Sequence, residues 1–134
     1  MAGKLLDDVS LAALWSLIKG KNATKAQVTT GSYTGTGTYG EDSPNSLTFD
    51  FEPKLLIVMS NAYSLFNGPE AEPAEWFLAI NGIENIYSAV TTNTNELTPV
   101  YFTWSGNTVR WYEGTKDKYQ LNYSGRVYRY IAVG

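Results

Sequence analysis

The first hydrophobic pattern along the chain has the period of an α-helix. In DDVSLAALWSLIKGKN (7–22), Asp7, Asp8 and Ser10 are capping candidates, and Gly20 is a candidate stop. A helix of about three turns is marginal alone in water, so its apolar side must pack on something. We expect it either to fold back on the rest of the chain or to meet copies of itself. The apolar stripe consists of Leu11, Leu14, Trp15 and Ile18.

From residue 32 onward the pattern changes to that of β-strands. LTFDF (47–51) and PVYFTW (99–104) alternate between apolar and polar positions, which predicts strands with one buried face. LLIVMS (55–60) is continuously apolar, which predicts a central strand covered on both faces. EWFLAI (75–80) runs into Asn81-Gly82, a strong hairpin signal. A closing strand is expected after the Ser124-Gly125 turn.

These patterns predict an all-β fold, an antiparallel β-sandwich of about seven or eight strands preceded by a short N-terminal α-helix. Residues 1–30 would form the helix and a linker, for oligomerisation or attachment, and residues 31–134 the head domain. Two polar connections, 61–75 and 91–98, stand out. Long connections on a rigid sandwich are where binding residues often lie.

One motif suggests a different chemistry. GTGTYG (35–40) has the G-x-G-x-x-G spacing of dinucleotide-binding loops. Such a loop needs a buried strand before it and a helix after it. Here polar KAQVTTGSYT precedes it, and the proline-containing EDSPNSLTFDFEP follows it. We therefore interpret SYTGTGTY (32–39) as a strand whose glycines mark a bulge or the close approach of another group.

The composition argues against an enzyme, a cofactor and a metal. The chain has no Cys and no His, so it lacks thiolate nucleophiles, His bases and Cys/His zinc ligands. Glu70, Glu72 and Glu75 cluster in one loop, but they lack the spacing of a calcium loop and are expected to be solvated. The sequence therefore predicts a binding or structural protein.

Charge and hydropathy argue against nucleic acid and membrane partners. Residues 31–100 carry Lys54 against nine acidic residues, whereas a nucleic-acid surface needs a basic face. No stretch approaches the roughly 18 apolar residues of a membrane span. LAALWSLI (11–18) follows acidic residues and runs into KGK, so we expect neither membrane insertion nor a signal peptide.

Aromatic side chains remain as candidates for ligand binding. Trp76, Trp104 and Trp111 fall in strand patterns, so we expect them in the core. Other aromatics fall on loops or on the opposite strand faces, where they would suit stacking on a sugar or contact with a protein. These low-specificity candidates are Tyr63, Phe66, Tyr101 and Tyr112.

Three stretches together resemble a known class of proteins. LDDVSLAALWSLIKGKNATKAQV (6–28) resembles the helix segment L-D-x-x-G-L-x-x-L/F-W-x-x-I-K of tail-fibre and related structural proteins of phages and prophages of Gram-positive bacteria, with Ser10 replacing the glycine. GSYTGTGTYGEDSPNSLTFDFEPKLLIVM (31–59) is similar to the start of their carboxy-terminal β-domain. YQLNYSGRVYRYIAVG (119–134) is similar to its closing stretch.

The resemblance implies a virion structural protein, made in the host cytoplasm, whose head binds a host cell-surface glycan or protein. It also implies a homotrimer, in which the helix stripes of three copies pack together and the helix contacts other virion proteins. Two alternatives stay open. One is a head decoration or fibre-assembly protein with no receptor role, and the other is a bacterial lectin-like module.

Overall fold

The computed structural model describes residues 8–23, 25–60, 75–84, 86–90 and 96–134. Within these ranges one helix, α1 (Asp8–Ala23), precedes eight strands, which confirms the predicted all-β, sandwich-like fold. No helix in the described part of the chain is long and apolar enough to cross a membrane. The strands are β1 (Val28–Thr34), β2 (Asn45–Thr48), β3 (Leu55–Ser60), β4 (Glu75–Ile80), β5 (Ile86–Val90), β6 (Glu96–Ser105), β7 (Thr108–Tyr112) and β8 (Val127–Val133).

The strands form two open antiparallel sheets that share β6. The large sheet has the order β1-β8-β3-β4-β5-β6, and the small sheet has the order β6-β7-β2. Residues 96–100 of β6 pair with β5, whereas residues 101–105 pair with β7. Strand β6 therefore carries the chain from one layer to the other.

The core lies between the two sheets and follows the period-two pattern of the strands. In β4, buried and exposed positions alternate along all six residues. The Phe77 ring of β4 packs edge-on against Phe102 of β6 at 5.0 Å and against Trp111 of β7 at 5.4 Å, measured between ring centroids. These three rings join the inner faces of both sheets.

Two predicted element boundaries were wrong. Helix α1 does not stop at Gly20 but continues to Ala23, because an interior glycine costs a helix only about 1 kcal/mol. Strand β2 ends at Thr48 instead of residue 51. Beyond Thr48 the pairing partner is the β6–β7 turn, where the Phe49 N–H donates to the carbonyl oxygen of Asn107 at 2.9 Å. The Phe49 side chain is nevertheless buried, as the alternation predicted.

Strand β3 is central, as predicted, but only one of its faces is covered within the described chain. Leu56 and Val58 are fully buried, whereas Met59 is 45% exposed. On the neighbouring strand Trp76, expected in the core, is also 45% exposed. The physical reason is that the small sheet covers only the inner face of the large sheet. A continuous apolar run therefore leaves a second, outer apolar face.

The two ends of the large sheet differ. At one end, the proximal end, Gln27 and Gly134 exchange two backbone hydrogen bonds of 2.9 Å, and Asn81 donates to Lys54 at 2.8 Å. The linker from α1 enters the sheet here, and β1 already begins at Val28. At the opposite, distal end lie the last residue of β1 and the first residue of β8, which are paired.

Candidate functional site

The predicted ligand-binding aromatics do not form one described site. Tyr101 and Tyr112 pair across β6 and β7, and their rings stack at 5.1 Å between centroids. Tyr101 is 53% exposed on the outer surface. Tyr63 and Phe66 lie outside the described residues. Two of the four candidates therefore form an aromatic pair whose role stays a prediction.

The long connections of the sandwich belong to the distal end of the large sheet. Residues 35–44 follow β1 there, and residues 113–126 precede β8. Ser60, which precedes residues 61–74, pairs with Tyr128 near the start of β8. Glu75, which follows the same segment, pairs with Val90. The end of the sheet that is remote from α1 is therefore where candidate binding groups are brought together.

The GTGTYG segment (35–40) is a loop at the distal end, so its prediction as a strand was wrong. Strand β1 ends at Thr34, and Gly37 and Gly40 have φ values of 81° and 93°, which a strand cannot accommodate. The N–H groups of Gly35 and Gly37 donate to the carbonyl oxygens of Arg126 (2.8 Å) and Asn122 (2.7 Å). These amides are occupied by protein acceptors, so they are unsuited to holding a phosphate.

Gln120 fixes the second half of this loop. Its side chain is fully buried, and its Oε1 accepts the N–H groups of Gly40 at 2.9 Å and Glu113 at 3.0 Å. Its Nε2 donates to the Ser43 carbonyl oxygen at 2.8 Å and to Asn45 Oδ1 at 3.1 Å. All the hydrogen-bonding capacity of this amide is therefore used to hold the loop.

Asn122 fixes the first half of the loop in the same way. Its Oδ1 accepts the Thr36 N–H at 3.0 Å, and its Nδ2 donates to the Thr38 carbonyl oxygen at 2.8 Å. Between the two amides, Leu121 is fully buried and has a φ of 58°. The left-handed turn directs Leu121 into the core and both amides toward the loop.

A buried charged group joins β4 to β8 at the distal end. Glu75 is only 1% exposed, and its carboxylate accepts hydrogen bonds from the Arg126 guanidinium and the Tyr128 hydroxyl. Burial raises the pKa of the Glu75 carboxyl, although the Tyr128 hydrogen bond and the Arg126 charge oppose that rise. Burial also raises the pKa of the Tyr33 hydroxyl, which donates to the Leu121 carbonyl oxygen at 2.7 Å. This cluster is internally bonded, as a structural anchor would be.

Aromatic and cationic groups also lie on the loops of the distal end. Tyr123 is 47% exposed and lies against the Arg126 guanidinium, 4.9 Å from the carbon to the ring centroid. The ammonium of Lys118 lies 4.9 Å from the Tyr119 ring centroid. Tyr39, at the tip of the GTGTYG loop, is 48% exposed. Tyr39 and Tyr123 were not among the predicted candidates, and Tyr39 was expected in the strand SYTGTGTY (32–39).

A polar cleft of about 230 Å³ opens beside these groups, between the edge strands β1 and β2. The Asn45 and Asn122 amides in its wall are hydrogen-bonded within the protein, so hydroxyl groups are its polar groups available to a ligand, and Tyr33 and Trp111 provide its aromatic lining. Such a mixture can bind the hydroxyl groups and the apolar face of a sugar. In the described residues, no group of acidic side chains is arranged to hold a metal ion. The polar lining residues include Thr34, Thr36, Thr38, Asn45 and Asn122.

Helix α1 forms a second candidate surface. It makes no contact with any described strand. The predicted stripe is open to solvent, since the exposed fractions of its side chains range from 40% at Ile18 to 58% at Trp15. The alternative in which the stripe folds back on its own head is thus not seen in the described chain. Within the described residues, nothing covers the stripe.

No protein-family model matches this chain, and neither a curated protein nor a solved structure shows significant similarity to it.

Proposed function

We propose that this chain is a phage virion structural protein of the tail-fibre or fibre-head type. The sequence resemblance motivates the class of protein, and one structural observation supports the role. An uncovered apolar helix joins the proximal end of the large sheet, whereas the long connections belong to the distal end. This polarity suits a protein that is anchored at one end and binds at the other.

In this proposal α1 provides the anchor. Three copies of the helix bury their stripes against one another and form a homotrimer, and the same segment attaches the trimer to other virion proteins. The benefit of such packing is direct, because fully burying one large aliphatic or aromatic side chain is worth about 1.5–3 kcal/mol.

The distal end provides the contact with a glycan or protein on the host cell surface. Tyr39 and Tyr123 supply exposed rings, and the cleft between β1 and β2 supplies hydroxyl groups such as those of Thr34 and Ser46. Gln120 and Asn122 hold the loop in place before any ligand arrives. Such preorganisation reduces the entropy lost on binding.

Binding of fluorescently labelled protein to a panel of Gram-positive bacteria tests the proposal. We expect binding to at least one strain, and we expect the double substitution Tyr39→Ala and Tyr123→Ala to weaken it by about tenfold or more, as loss of aromatic contacts does. Ile83→Ala removes an equally exposed apolar side chain beyond the proximal end and should leave binding unchanged.

Two results would contradict this proposal, the first by removing the receptor role and the second by moving the contact away from the distal end. A protein that ignores all cells but binds purified phage particles would be a decoration or assembly protein. A protein whose cell binding survives the distal substitutions but is lost with Tyr101→Ala would place the contact at the outer aromatic pair instead.

A further inference from the structure

The outer face of the large sheet is apolar along its central strands. Outward side chains of β3 and β4 lie directly opposite each other in three cross-strand pairs. In an antiparallel sheet with one face in water, these positions are normally polar. Here every one of them is a large apolar residue. The pairs are Leu55 with Ile80, Ile57 with Leu78, and Met59 with Trp76.

The same character continues onto the neighbouring strands. Ile131 of β8 lies opposite Ile57, and Tyr87 and Leu97 extend the face across β5 and β6. Among the described outward positions of these strands, Arg129 is the one charged residue. We call this surface the apolar outer face. Besides the three pairs above, it comprises Val28, Tyr87, Leu97, Val127, Ile131 and Val133.

The size of this face matches that of a protein interface. From the exposed fractions and the ordinary areas of these side chains, it presents roughly 900 Å² of apolar surface. The largest apolar patch on a typical monomer is about 300–600 Å². A standard stable interface buries about 800 Å² on each partner. The face is therefore large enough for one such interface.

The chemistry of the face favours a second copy of this chain as the occupant. A sugar would need several hydroxyl or amide groups, and the described face offers few of them beyond Thr30 and Ser32 at the β1 edge. A nearly uncharged apolar face meets itself without like-charge repulsion. In a ring of copies, each head can offer one side of this face to one neighbour and the other side to the other neighbour.

The shape of the face also fits a cyclic arrangement. A hollow of about 540 Å³ lies between β1, β8 and β3, and Met59, Ile57 and Ile131 line it. Leu97, the most exposed side chain of the face at 67%, lies on the opposite β5–β6 side. In a closed ring of copies, the β5–β6 side of one head can fill the hollow of the next head.

We propose that the apolar outer face is the contact between heads of neighbouring copies, with Leu97 of one head meeting the hollow beside Ile131 of the next. This inference deepens the proposed homo-oligomer and rests on it, because α1 would bring the heads to a high effective concentration.

Cysteine cross-linking of the full-length chain tests the contact directly, since the natural chain contains no cysteine. In the double variant Leu97→Cys and Ile131→Cys, the two sites lie four strands apart, or about 19 Å, within one head. A disulfide needs Cα atoms within about 7 Å, so any bridge must join two chains. We expect mild oxidation to give covalent dimers and trimers on a denaturing gel.

The matched control is Thr103→Cys with Ile131→Cys, because Thr103 is exposed on the outer surface of the small sheet. It should remain a single chain under the same conditions. Equal cross-linking in both variants, or none in the Leu97 variant, would overturn the inference.

A second measurement does not depend on cross-linking. In full-length Leu78→Cys, maleimide labelling should be about fivefold slower at a protein concentration ten times the dissociation constant of a two-chain contact than at high dilution. Thr103→Cys should react equally fast at both. A labelling rate of the Leu78→Cys variant that is independent of concentration would overturn the inference.

Sedimentation separates this inference from the proposed role of α1. If Leu14→Glu with Ile18→Glu abolishes association, α1 holds the copies together. If the Leu97–Ile131 cross-link is also absent in a protein with the natural helix, only the head contact is overturned. If association survives that substitution and Leu97→Asp removes it, the heads associate without the helix, which supports the head contact and contradicts the proposed anchor.

Discussion

Gly35 shows how one missing side chain permits the loop at the distal end. The residue is buried, and a Cβ atom built on it would overlap the Tyr123 carbonyl oxygen. Its N–H donates to Arg126, and its carbonyl oxygen accepts the Gly125 N–H at 3.0 Å. The contact is between two backbone segments, so neither segment can move easily to make room for a Cβ atom. The glycines of GTGTYG therefore serve packing and turn geometry.

We expect Gly35→Ala to lower the free energy of unfolding by about 1–3 kcal/mol, the usual cost of overpacking. Gly114→Ala is the matched control, because Gly114 has open space around it and no left-handed φ. That control should change the free energy by no more than about 0.5 kcal/mol. Urea denaturation of both variants measures the difference, and equal stabilities would contradict the packing argument.

Glu75 gives the protein a defined response to pH. Burial raises the pKa of its carboxyl above the ordinary value of 4.5, so the folded chain holds this proton more tightly than the unfolded chain. Between those two pKa values the folded state binds more protons. The free energy of unfolding contributed by this group is therefore greatest below pH 4.5 and falls as the pH rises through the raised pKa.

Glu75→Gln isolates this response, since glutamine cannot ionise but keeps an acceptor oxygen for Arg126 or Tyr128. We expect the free energy of unfolding of the natural protein to fall relative to that of the variant as pH rises from 4.5. The difference should become constant above the raised pKa. Denaturation curves across this range measure it, and a difference that grows in the opposite direction would refute the assignment.

At the scale of the element, α1 is a helix that no described strand covers. Its 16 residues make no contact with the described strands, and its stripe is exposed. Within the helix, the Lys19 ammonium lies 5.5 Å from the Trp15 ring centroid, a pair spaced by one turn. Such a pair adds only about 0.5–1 kcal/mol at an exposed site. In the proposed homotrimer, most of the stability of α1 would come from packing between copies.

We expect Leu14→Glu with Ile18→Glu to reduce the helical circular dichroism signal at 222 nm and to lower the sedimenting mass toward that of one chain. Ser16→Glu adds charge to the helix side opposite the stripe and should preserve both signals. A full loss of association in Ser16→Glu as well would point to charge alone as the cause. An unchanged mass in the stripe variant would show that α1 does not hold copies together.

Strand β6 illustrates why two sheets form instead of one flat layer. Its first half completes the large sheet, and its second half pairs only with β7. Phe102 and Trp104 in that second half point inward and stack at 6.3 Å between ring centroids. The alternation of PVYFTW predicted this inward face. The alternation did not predict that β6 changes its pairing partner from β5 to β7, because that change depends on other strands of the sheet.

At the scale of the molecule, the sequence pattern predicted the layers well, because each strand buries only the face toward the other sheet. EWFLAI matches β4 residue for residue, and LLIVMS matches β3. The pattern failed where partners are remote. Gln120 and Asn122 determine the conformation of GTGTYG from about 80 residues away. The alternation of apolar and polar positions also cannot distinguish an apolar face that the same chain covers from one that it leaves open. For this reason Trp76 was wrongly predicted to lie in the core.

The candidate site was only partly predictable for the same reason. Tyr101 and Tyr112 were singled out and do meet. Tyr39 and Tyr123 could be recognised as candidates only from the structure, which places both on loops between strands.

The pairing at the proximal end determines how the molecule carries tension. A pull between α1 and the head enters through β1, which is joined to the sheet along seven residue pairs with β8 and by the two bonds between Gln27 and Gly134. Load directed along β1 stresses all these bonds at once in shear, whereas load directed across it breaks them one after another from Gln27. The mechanical strength of the attachment is therefore set by the first strand, and its direction of pull decides how much force the head withstands.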